Sequence, residues 1–329
     1  MLEHGGRLRR AARTYDIPLT DWLDLSTGLA PWAWPLLEIP ASAWARLPEP
    51  DDGLVEAACA CYRAAALLPV AGSQAAIQAL PTLRPPARVA VLAPCYAEHA
   101  LAWQRAGHEV LEWSEDQIAT HLDQLDVVVV VNPNNPTGQR LSPARLLDWH
   151  ARLERRGAWL VVDEAFMDPT PAASLAPFSD LPGLIVLRSF GKFFGLAGMR
   201  LGFVLAAPAL LARLDEHLGP WTVNGPSRYL ARQLLADQQG QQRQREALLQ
   251  AGERLAALLV RHALAPSGGC ALFQLLRRPD AAALHEHLAR QAILTRLFPA
   301  LGALRVGLPG DESGWQRLDA GLAGYRSPL

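Results

Sequence analysis

VVVVVNPNNPTG, residues 127–138, joins five consecutive valines to a loop of asparagine, proline, threonine and glycine. A run of β-branched residues without polar alternation favours a strand that is buried on both faces of a sheet. The proline, asparagine and glycine residues that follow favour a turn where that strand ends. The stretch therefore predicts a central strand of an α/β sheet whose C-terminal end opens into a polar loop.

Similar runs extend this pattern along the chain. From about residue 88, short β-branched stretches alternate with amphipathic helical ones: RVAVLAP (88–94), EVLEW (109–113), AWLVVDEAF (158–166), LIVLRSF (184–190) and LGFVLA (201–206). Residues 142–156 are typical of a connecting helix, with Ser-Pro at the start and Gly157 as the stop. We predict an α/β fold in which a mostly parallel sheet is flanked by helices.

After Pro208 the pattern changes to long helices rich in leucine, alanine, arginine and glutamine. One helix is predicted from Pro226 towards His262, with DQQGQQRQRE (237–246) as a solvated face. A short β signal (CALFQLL, 270–276) and a last helix follow. We expect a large domain over 40–206, a smaller α/β domain over 207–329, and an N-terminal arm over 1–39 that packs on the small domain.

Composition excludes several classes of protein. The chain has 329 residues, 50% of them hydrophobic, and a net charge of -1, which gives no long-range attraction for nucleic acid. The four cysteines (Cys59, Cys61, Cys95 and Cys270) form no CxxC pair, and no cluster has metal-ligand spacing. No stretch is apolar enough for a signal peptide or a membrane span. We expect a cytoplasmic protein with no metal, nucleic acid or membrane partner.

Polar motifs follow the ends of three predicted strands, where open α/β sheets bind ligands. They are Asn132–Gly138, Asp163–Glu164 and Ser189–Lys192. An ammonium group is costly in apolar surroundings, so Lys192, which precedes two phenylalanines, is a candidate nucleophilic amine that could form a Schiff base. A carboxylate such as Asp163 could keep a pyridine nitrogen protonated. Upstream, Gly72 to Gln74 begin a predicted helix that, with Arg200, could bind a phosphate.

Taken singly, each motif has a plain alternative: a surface lysine, a helix cap or a turn-rich loop. Their order along the chain resembles fold-type I pyridoxal-phosphate enzymes over nearly the full length, and among these the group of histidinol-phosphate aminotransferases and threonine-phosphate decarboxylases. The motifs are AGSQ (71–74), PCYAE (94–98), NPNNPTG (132–138), DEAF (163–166), SFGKFFGLAGMRLG (189–202) and LRVGLP (304–309).

The resemblance implies a pyridoxal 5'-phosphate cofactor, a homodimer and a set of residue roles. Lys192 would hold the cofactor as a Schiff base, Asp163 would pair with its ring nitrogen, and Asn135 would hydrogen-bond its phenolate. Tyr96 would stack on the ring face. The residues that would bind the cofactor phosphate are Gly72, Ser73, Gln74, Ser189 and Arg200.

On the substrate side, the opening His4-Gly5-Gly6 followed by LDLST (23–27) resembles threonine-phosphate decarboxylases of cobalamin synthesis more than aminotransferases. The resemblance implies that His4, Ser26 and Thr27 line the substrate end of the site. Arg305 would bind an anionic group of the substrate. Which of Arg296 and Arg305 meets the substrate phosphate, and which its carboxylate, is left open.

The leading functional prediction is decarboxylation of L-threonine O-3-phosphate to (R)-1-amino-2-propanol O-2-phosphate. The alternatives are an aminotransferase for a phosphorylated substrate such as histidinol phosphate, and a non-catalytic assembly partner that keeps the cofactor as a structural ligand. Two positions depart from the family pattern. Phe166 replaces the usual tyrosine after D-x-A, and Leu47-Pro48-Glu49-Pro50 replaces a YPDP-like stretch whose tyrosine reaches the partner subunit's cofactor phosphate.

Overall fold

The computed structural model describes residues 3–35 and 37–326. The strands are β1 Leu23–Asp24, β2 Leu67–Val70, β3 Arg88–Leu92, β4 Glu109–Trp113, β5 Val127–Val131, β6 Trp159–Asp163, β7 Leu184–Ser189, β8 Gly202–Leu205, β9 Gly268–Cys270, β10 Phe273–Arg277, β11 Ile293–Leu294, β12 Arg296–Phe298 and β13 Ala303–Gly307. The helices are α1 Leu8–Tyr15, α2 Ala41–Ala45, α3 Leu54–Tyr62, α4 Ser73–Ala79, α5 Glu98–Arg105, α6 Glu115–His121, α7 Pro143–Glu154, α8 Phe190–Phe193, α9 Pro208–Leu218, α10 Gly225–Ala236, α11 Gln238–Arg261, α12 Ala281–Ala289 and α13 Glu312–Ala323.

The chain divides into two compact units. The larger unit is formed by Ala33–Asn135 and Arg140–Arg245. The smaller unit contains the described residues up to Trp32, the short segment Pro136–Gln139 and the described residues from Glu246 onward. N-terminal residues therefore group with the C-terminal part of the chain.

A sheet of seven strands lies in the larger unit, in the order β2-β8-β7-β6-β5-β3-β4. The neighbours from β7 to β4 pair in parallel, whereas β8 runs antiparallel to both β2 and β7. The prediction of a mostly parallel α/β sheet is confirmed. Each of the strands predicted from residue 88 onward is present.

Both faces of this sheet are covered. All five valines of β5 are buried, as are all the residues of β6, so neither strand has a wet face. On one face, Val127 and Val129 share a core with Leu211 and Leu214 of α9. This packing explains why α9 groups with the larger unit, and the ion pair of Arg228 in α10 with Asp52 ties α10 to the same unit. The boundary predicted from the sequence lies before both helices, at 206–207.

The single long helix predicted over 226–262 is instead two helices, α10 and α11, separated at Asp237. The Asp237 carboxylate accepts a hydrogen bond from the Gly240 N–H, which caps the start of α11. The prediction of a solvated face over 237–246 is also wrong in part. Gln241 and Gln244 are buried, and the Gln241 amide donates to the carbonyls of the last turn of α10.

The smaller unit contains two sheets. One has four antiparallel strands in the order β12-β13-β10-β9, and the other pairs β1 with β11 in parallel. Trp22 and Ala11 of the N-terminal segment pack in one core with Ala289 and Ala292. The hydroxyl of Tyr15 donates to Glu286 over 2.6 Å, which further fastens the N-terminal segment to α12.

Across the described ranges, none of the helices combines the length and the apolar character that a bilayer crossing requires.

Candidate active site

The predicted polar motifs meet at the C-terminal edge of the sheet in the larger unit. In the strand register, Val131 lies beside Asp163 and Asp163 lies beside Leu187, so β5, β6 and β7 end at neighbouring positions. Asn135 follows the first of these strands, Asp163 ends the second, and Ser189 ends the third. This is the edge at which open α/β sheets bind ligands.

Lys192 lies in the short helix α8, directly after β7. Its Nζ donates a hydrogen bond to the Ser189 hydroxyl over 3.1 Å and lies 5.3 Å from the centre of the Phe166 ring. The side chain is half-buried rather than fully enclosed, and Phe193 and Phe194 are buried in the core. Phe166 therefore supplies an apolar neighbour of the amine. From the sequence, the phenylalanines that follow Lys192 were expected to be its apolar surroundings.

Asp163 has a partner that the sequence analysis missed. The His99 Nε2 lies 2.9 Å from the Asp163 Oδ2, and the Ala165 N–H donates to Oδ1 over 3.0 Å. Burial alone would raise the pKa of the Asp163 carboxyl, but the hydrogen bond from His99 and the charges of His99 and Lys192 hold that pKa below its ordinary value. The group is therefore an anion at neutral pH.

His99 was missed because its partner lies 64 residues away in the sequence. When α5 is considered alone, a histidine in its first turn is interpreted as a packing residue. His99 is indeed almost fully buried. The available signal was its position three residues after Tyr96 in PCYAEH (94–99). The His99 N–H donates to the Tyr96 carbonyl over 3.1 Å where the chain turns into α5, and the two rings make an edge contact with centroids 6.1 Å apart.

Backbone groups and a guanidinium approach each other at the start of α4. Gly72 has a φ of 74°, and a Cβ at this position would lie 2.8 Å from the Arg200 Nη2. A Cβ on Gly202 would lie 2.5 Å from the Ser73 amide nitrogen. Glycine is therefore favoured at Gly72 by the positive φ and required at Gly202 by the close approach of the Ser73 backbone. The result is a set of backbone N–H groups beside a cation, which suits a phosphate.

Gln74 and Tyr96 are joined to each other. The Tyr96 hydroxyl donates to the Gln74 Oε1 over 3.1 Å, and the Gln74 amide donates to Glu98 over 3.1 Å. Burial raises the pKa of the Tyr96 hydroxyl to about 12, so Tyr96 is neutral and its orientation is fixed by this hydrogen bond. The Gln74 side chain thus orients Tyr96.

The loop that carries Asn135 is tied down by its neighbouring asparagines. The Asn132 amide donates to the Leu141 carbonyl over 3.1 Å, and its oxygen accepts from the Leu141 N–H over 2.9 Å. The Asn134 amide donates to the Pro94 carbonyl over 2.8 Å. Two of the three asparagines in this loop therefore hold its backbone in place, beside Asn135, to which the family resemblance assigns the ligand contact.

Gln244, from the stretch predicted to be solvated, also supports this site. Its buried amide donates to the carbonyl of Phe193, the residue after Lys192, over 2.7 Å. This hydrogen bond fixes the C-terminal end of α8. The sequence offered no signal for it, because the two residues lie in helices 51 positions apart.

In the smaller unit, Arg305 is buried in β13 and donates to the Ser26 carbonyl over 2.8 Å. Burial lowers the pKa of its guanidinium to about 10. The Ser26 hydroxyl donates to Asp24 over 2.6 Å and accepts from the Gly6 N–H over 2.8 Å. The segment from Leu25 to Thr27 runs beside the end of β13, where its Leu25 carbonyl accepts from the Gly307 N–H.

Arg296 is the cross-strand partner of Arg305 in the register of β12 and β13. It donates to the Glu3 carbonyl over 2.6 Å and lies 3.6 Å from the Glu3 carboxylate. A cavity of about 240 Å³ in the same unit is lined by His4, Arg7, Arg10, Ser26 and Arg296, among other residues. Two neighbouring cations repel each other, and the Glu3 carboxylate offsets part of that repulsion at Arg296.

These groups fit pyridoxal phosphate on the side of the larger unit. Lys192 supplies the amine, Asp163 an anion buried beside His99, and Arg200 with the N–H groups after Gly72 a phosphate site. The residues predicted to hold the cofactor all lie in the larger unit, and those predicted to hold the substrate, including His4 and Thr27, all lie in the smaller unit.

The fold and this set of residues define an aminotransferase-like enzyme. The chain belongs to the class I and II aminotransferase family, whose profile matches residues 48–318. It is 64% identical to the threonine-phosphate decarboxylase of Pseudomonas aeruginosa over 100% of this chain and 99% of that protein. It is 44% identical to a threonine-phosphate decarboxylase of a Sinorhizobium species over 97% of each chain.

More distant relatives include a histidinol-phosphate aminotransferase of Haemophilus influenzae, 33% identical over 58% of each chain. Among solved structures, L-threonine-O-3-phosphate decarboxylase from Porphyromonas gingivalis superposes with a TM-score of 0.76 over 91% of this chain and 98% of that one, at 20% identity. Histidinol-phosphate aminotransferase from Sinorhizobium meliloti, solved with pyridoxal-5'-phosphate, superposes with a TM-score of 0.79 over 98% and 94%, at 20% identity. These structures share the fold.

Proposed function

We propose that the protein is a pyridoxal-phosphate-dependent enzyme that decarboxylates L-threonine O-3-phosphate to (R)-1-amino-2-propanol O-2-phosphate. The main observation in favour of this substrate class is that Arg296 and Arg305 lie opposite each other on neighbouring strands. Threonine phosphate carries two anionic groups, and two adjacent guanidiniums match them by charge. The full-length similarity to proteins named threonine-phosphate decarboxylase supports the same substrate.

In this proposal the residues of the larger unit hold the cofactor, which supplies an electron sink when bound. Lys192 would attach it, Asp163 would keep its ring nitrogen protonated, and Asn135 would hydrogen-bond its phenolate oxygen. Tyr96 would cover the ring face. The groups that would bind its phosphate are Gly72, Ser73, Gln74, Ser189 and Arg200.

Asp163 is suited to its role because it stays ionised in a buried position. Its hydrogen bond with His99 holds the carboxylate in one orientation and favours its charged form. Phe166 has no hydroxyl, so of the two side chains Phe166 and Asn135 it would be Asn135 that hydrogen-bonds the phenolate. The Lys192 amine, close to Ser189, would deliver the proton that replaces the departing carboxylate at Cα.

The smaller unit would hold the substrate's anions. Arg305 is enclosed, and its guanidinium carries a single charge, which matches a carboxylate. Arg296 lines a cavity together with Arg7, Arg10 and Glu3, so three guanidiniums face one carboxylate and the remaining positive charge matches a phosphate. His4, Ser26 and Thr27 would complete the substrate end of the site. Holding both anions fixes which bond at Cα is presented for cleavage, and this choice separates decarboxylation from amino transfer.

The test is a product analysis by mass spectrometry. Purified protein loaded with the cofactor is incubated with threonine phosphate, and separately with histidinol phosphate and 2-oxoglutarate. The proposal predicts one aminopropanol phosphate and one CO₂ per threonine phosphate consumed, without need of a keto acid. Amino transfer that depends on the keto acid would identify an aminotransferase, and turnover of neither substrate would favour the role of a non-catalytic partner.

We also infer a cytoplasmic homodimer. Three large apolar side chains are exposed in one short segment of the larger unit: Leu37, Trp44 and Leu47, with Trp44 67% exposed. Large apolar side chains left exposed close together in the sequence favour an interaction site. The four cysteines form no disulfide in the described chain, which suits a reducing compartment.

The product of the reaction would serve as a precursor of the cobalamin nucleotide-loop linker.

A further inference from the structure

A buried cluster of three charged side chains lies at the end of the central sheet. Arg188 Nη1 donates to Glu164 over 2.8 Å, and Arg188 Nη2 donates to Asp168 over 2.5 Å. Arg188 is 2% exposed, Glu164 is fully buried, and Asp168 is 6% exposed. The guanidinium also covers the Tyr62 ring at 4.6 Å. The cofactor roles above use none of these side chains.

The cluster is next to the cofactor site along the chain but on the other face of the sheet. Glu164 follows Asp163, and Arg188 precedes Ser189. Side chains alternate between the faces of a strand, so the ion pair lies behind the positions of Asp163 and Ser189. The Glu164 N–H donates to the Leu187 carbonyl over 2.9 Å, which extends the pairing of β6 and β7 up to this point.

Glu164 also holds the loop that follows β6. Its carboxylate accepts from the Ser174 hydroxyl over 2.5 Å and from the Leu175 N–H over 2.7 Å. Phe166, which faces the Lys192 amine, lies within the loop closed by these bonds. The cluster therefore fixes two things at once: the ends of β6 and β7, and the loop that supplies the apolar neighbour of Lys192.

Stability alone is a weak reason to bury these charges. Burial raises the pKa of the Glu164 carboxyl even though Arg188, Ser174 and Leu175 all favour its charged form. Well-packed apolar residues often stabilise a core as much as a buried ion pair does. An arginine, however, has a planar fork that holds two carboxylates in fixed directions, which apolar contacts do not do. A site whose reacting groups must keep fixed positions requires contacts with such fixed directions.

We propose that Arg188 is a positioning residue: by bridging Glu164 and Asp168 it fixes the ends of β6 and β7, so that Asp163 and Lys192 keep the separation that the cofactor requires. The inference rests on the proposed cofactor and not on the identity of the substrate. Arg188 acts through the backbone of the adjacent residues and touches neither cofactor nor substrate.

The test compares two substitutions at Arg188. Arg188→Lys keeps the positive charge but loses the fork that reaches both carboxylates, whereas Arg188→Met removes the charge and keeps an apolar stem. Asp280→Asn is the matched control. Asp280 is also 6% exposed and is bound by Arg278 and by the Tyr325 hydroxyl, but it lies in the smaller unit. Each variant is measured for melting temperature, rate of cofactor loss on dialysis, and kcat per bound cofactor.

We expect both Arg188 variants to lose about 10–100-fold in kcat per bound cofactor, with KM little changed, because small displacements of reacting groups carry penalties of this order. Both should also lose the cofactor faster than the wild type. Asp280→Asn should lower the melting temperature and keep both properties. Should Arg188→Met fail to fold, Glu164→Gln, which keeps the size of the side chain, takes its place with the same expected losses.

Two results would overturn the proposal. Wild-type kcat and cofactor retention in Arg188→Lys would show that charge alone is sufficient. Equal losses in Asp280→Asn would show that general destabilisation is the cause. Failure of the proposed function is recognisable separately, because the wild type itself would then release no CO₂ from threonine phosphate, while the rate of cofactor loss would still report on Arg188.

Discussion

At the scale of single residues, the electrostatics of the proposed site depend on the negative charge of Asp163. It is a buried carboxylate that stays charged because His99, Lys192 and the Ala165 N–H together outweigh the effect of burial. Such a group can stabilise positive charge on a ring nitrogen at little cost in reorganisation, since its orientation is fixed before any ligand arrives. The charge of Asp163 should therefore matter more for function than its hydrogen bond does.

Asp163→Asn tests that distinction. The substitution keeps the size and one hydrogen-bonding oxygen but removes the charge that would keep the ring nitrogen protonated. We expect kcat to fall by about 10²–10³-fold, with KM changed little, because the lost interaction acts mainly in the transition state. Arg305→Ala is the contrasting variant: its partner carries the same charge before and during the reaction, so it should chiefly raise KM. Near-wild-type kcat in cofactor-loaded Asp163→Asn would remove Asp163 from this role.

His99 is predicted to set the pH range of activity. His99→Leu removes a hydrogen bond to a buried carboxylate, so burial then dominates and the pKa of Asp163 rises. The acid limb of the kcat profile should therefore move to higher pH, because the carboxylate is then protonated more easily. His99→Gln, which can still donate from its amide, should stay closer to the wild type; identical profiles for the two variants would contradict this assignment.

At the scale of elements, the close approach of β8 to the start of α4 shapes the proposed phosphate site. Gly202 leaves no room for a Cβ, because that atom would lie 2.5 Å from the Ser73 nitrogen and 2.8 Å from the Arg188 carbonyl. The backbone on both sides belongs to packed elements and has little freedom to yield. A methyl group at this position would therefore push α4 away from the sheet.

Gly202→Ala should destabilise the fold by about 1–3 kcal/mol, as overpacking commonly does, and should weaken cofactor binding at the same time. Gly198→Ala is the matched control, since a Cβ at that position meets nothing within 4 Å. Thermal unfolding with and without added cofactor measures both effects. Equal behaviour of the two variants would mean that the approach of β8 to α4 does not matter for the site.

The elements also show what the sequence could predict. The central strands β5, β6 and β7 were predictable because apolar runs rich in β-branched residues mark strands that are buried on both faces. The residues at their ends were predictable because the C-terminal edge of a parallel sheet gathers ligand-binding loops. The break at Asp237 was not predicted, although Asp237 is a preferred N-cap residue and Gly240 is a poor helix former. Nor were the contacts of His99, Gln244 and Arg188, whose partners are distant in sequence.

At the scale of the whole molecule, the exposed apolar segment from Leu37 to Leu47 bears on assembly. Trp44 and Leu47 are 67% and 64% exposed in the described chain. We expect a second copy of the chain to cover this segment in a homodimer. Trp44→Lys places a charge there and should weaken the dimer, which light scattering at micromolar concentration measures directly. A wild-type protein that stays monomeric under these conditions would contradict the expectation.

In the proposed reaction the bond that breaks at Cα is the one to the carboxylate and not the one to hydrogen. Threonine phosphate that carries deuterium at Cα and ¹³C in the carboxylate distinguishes the two in one experiment. We expect mass spectrometry to find labelled CO₂ and an aminopropanol phosphate that retains the deuterium. Loss of the deuterium to solvent with the ¹³C retained in a keto product would contradict the proposed decarboxylation.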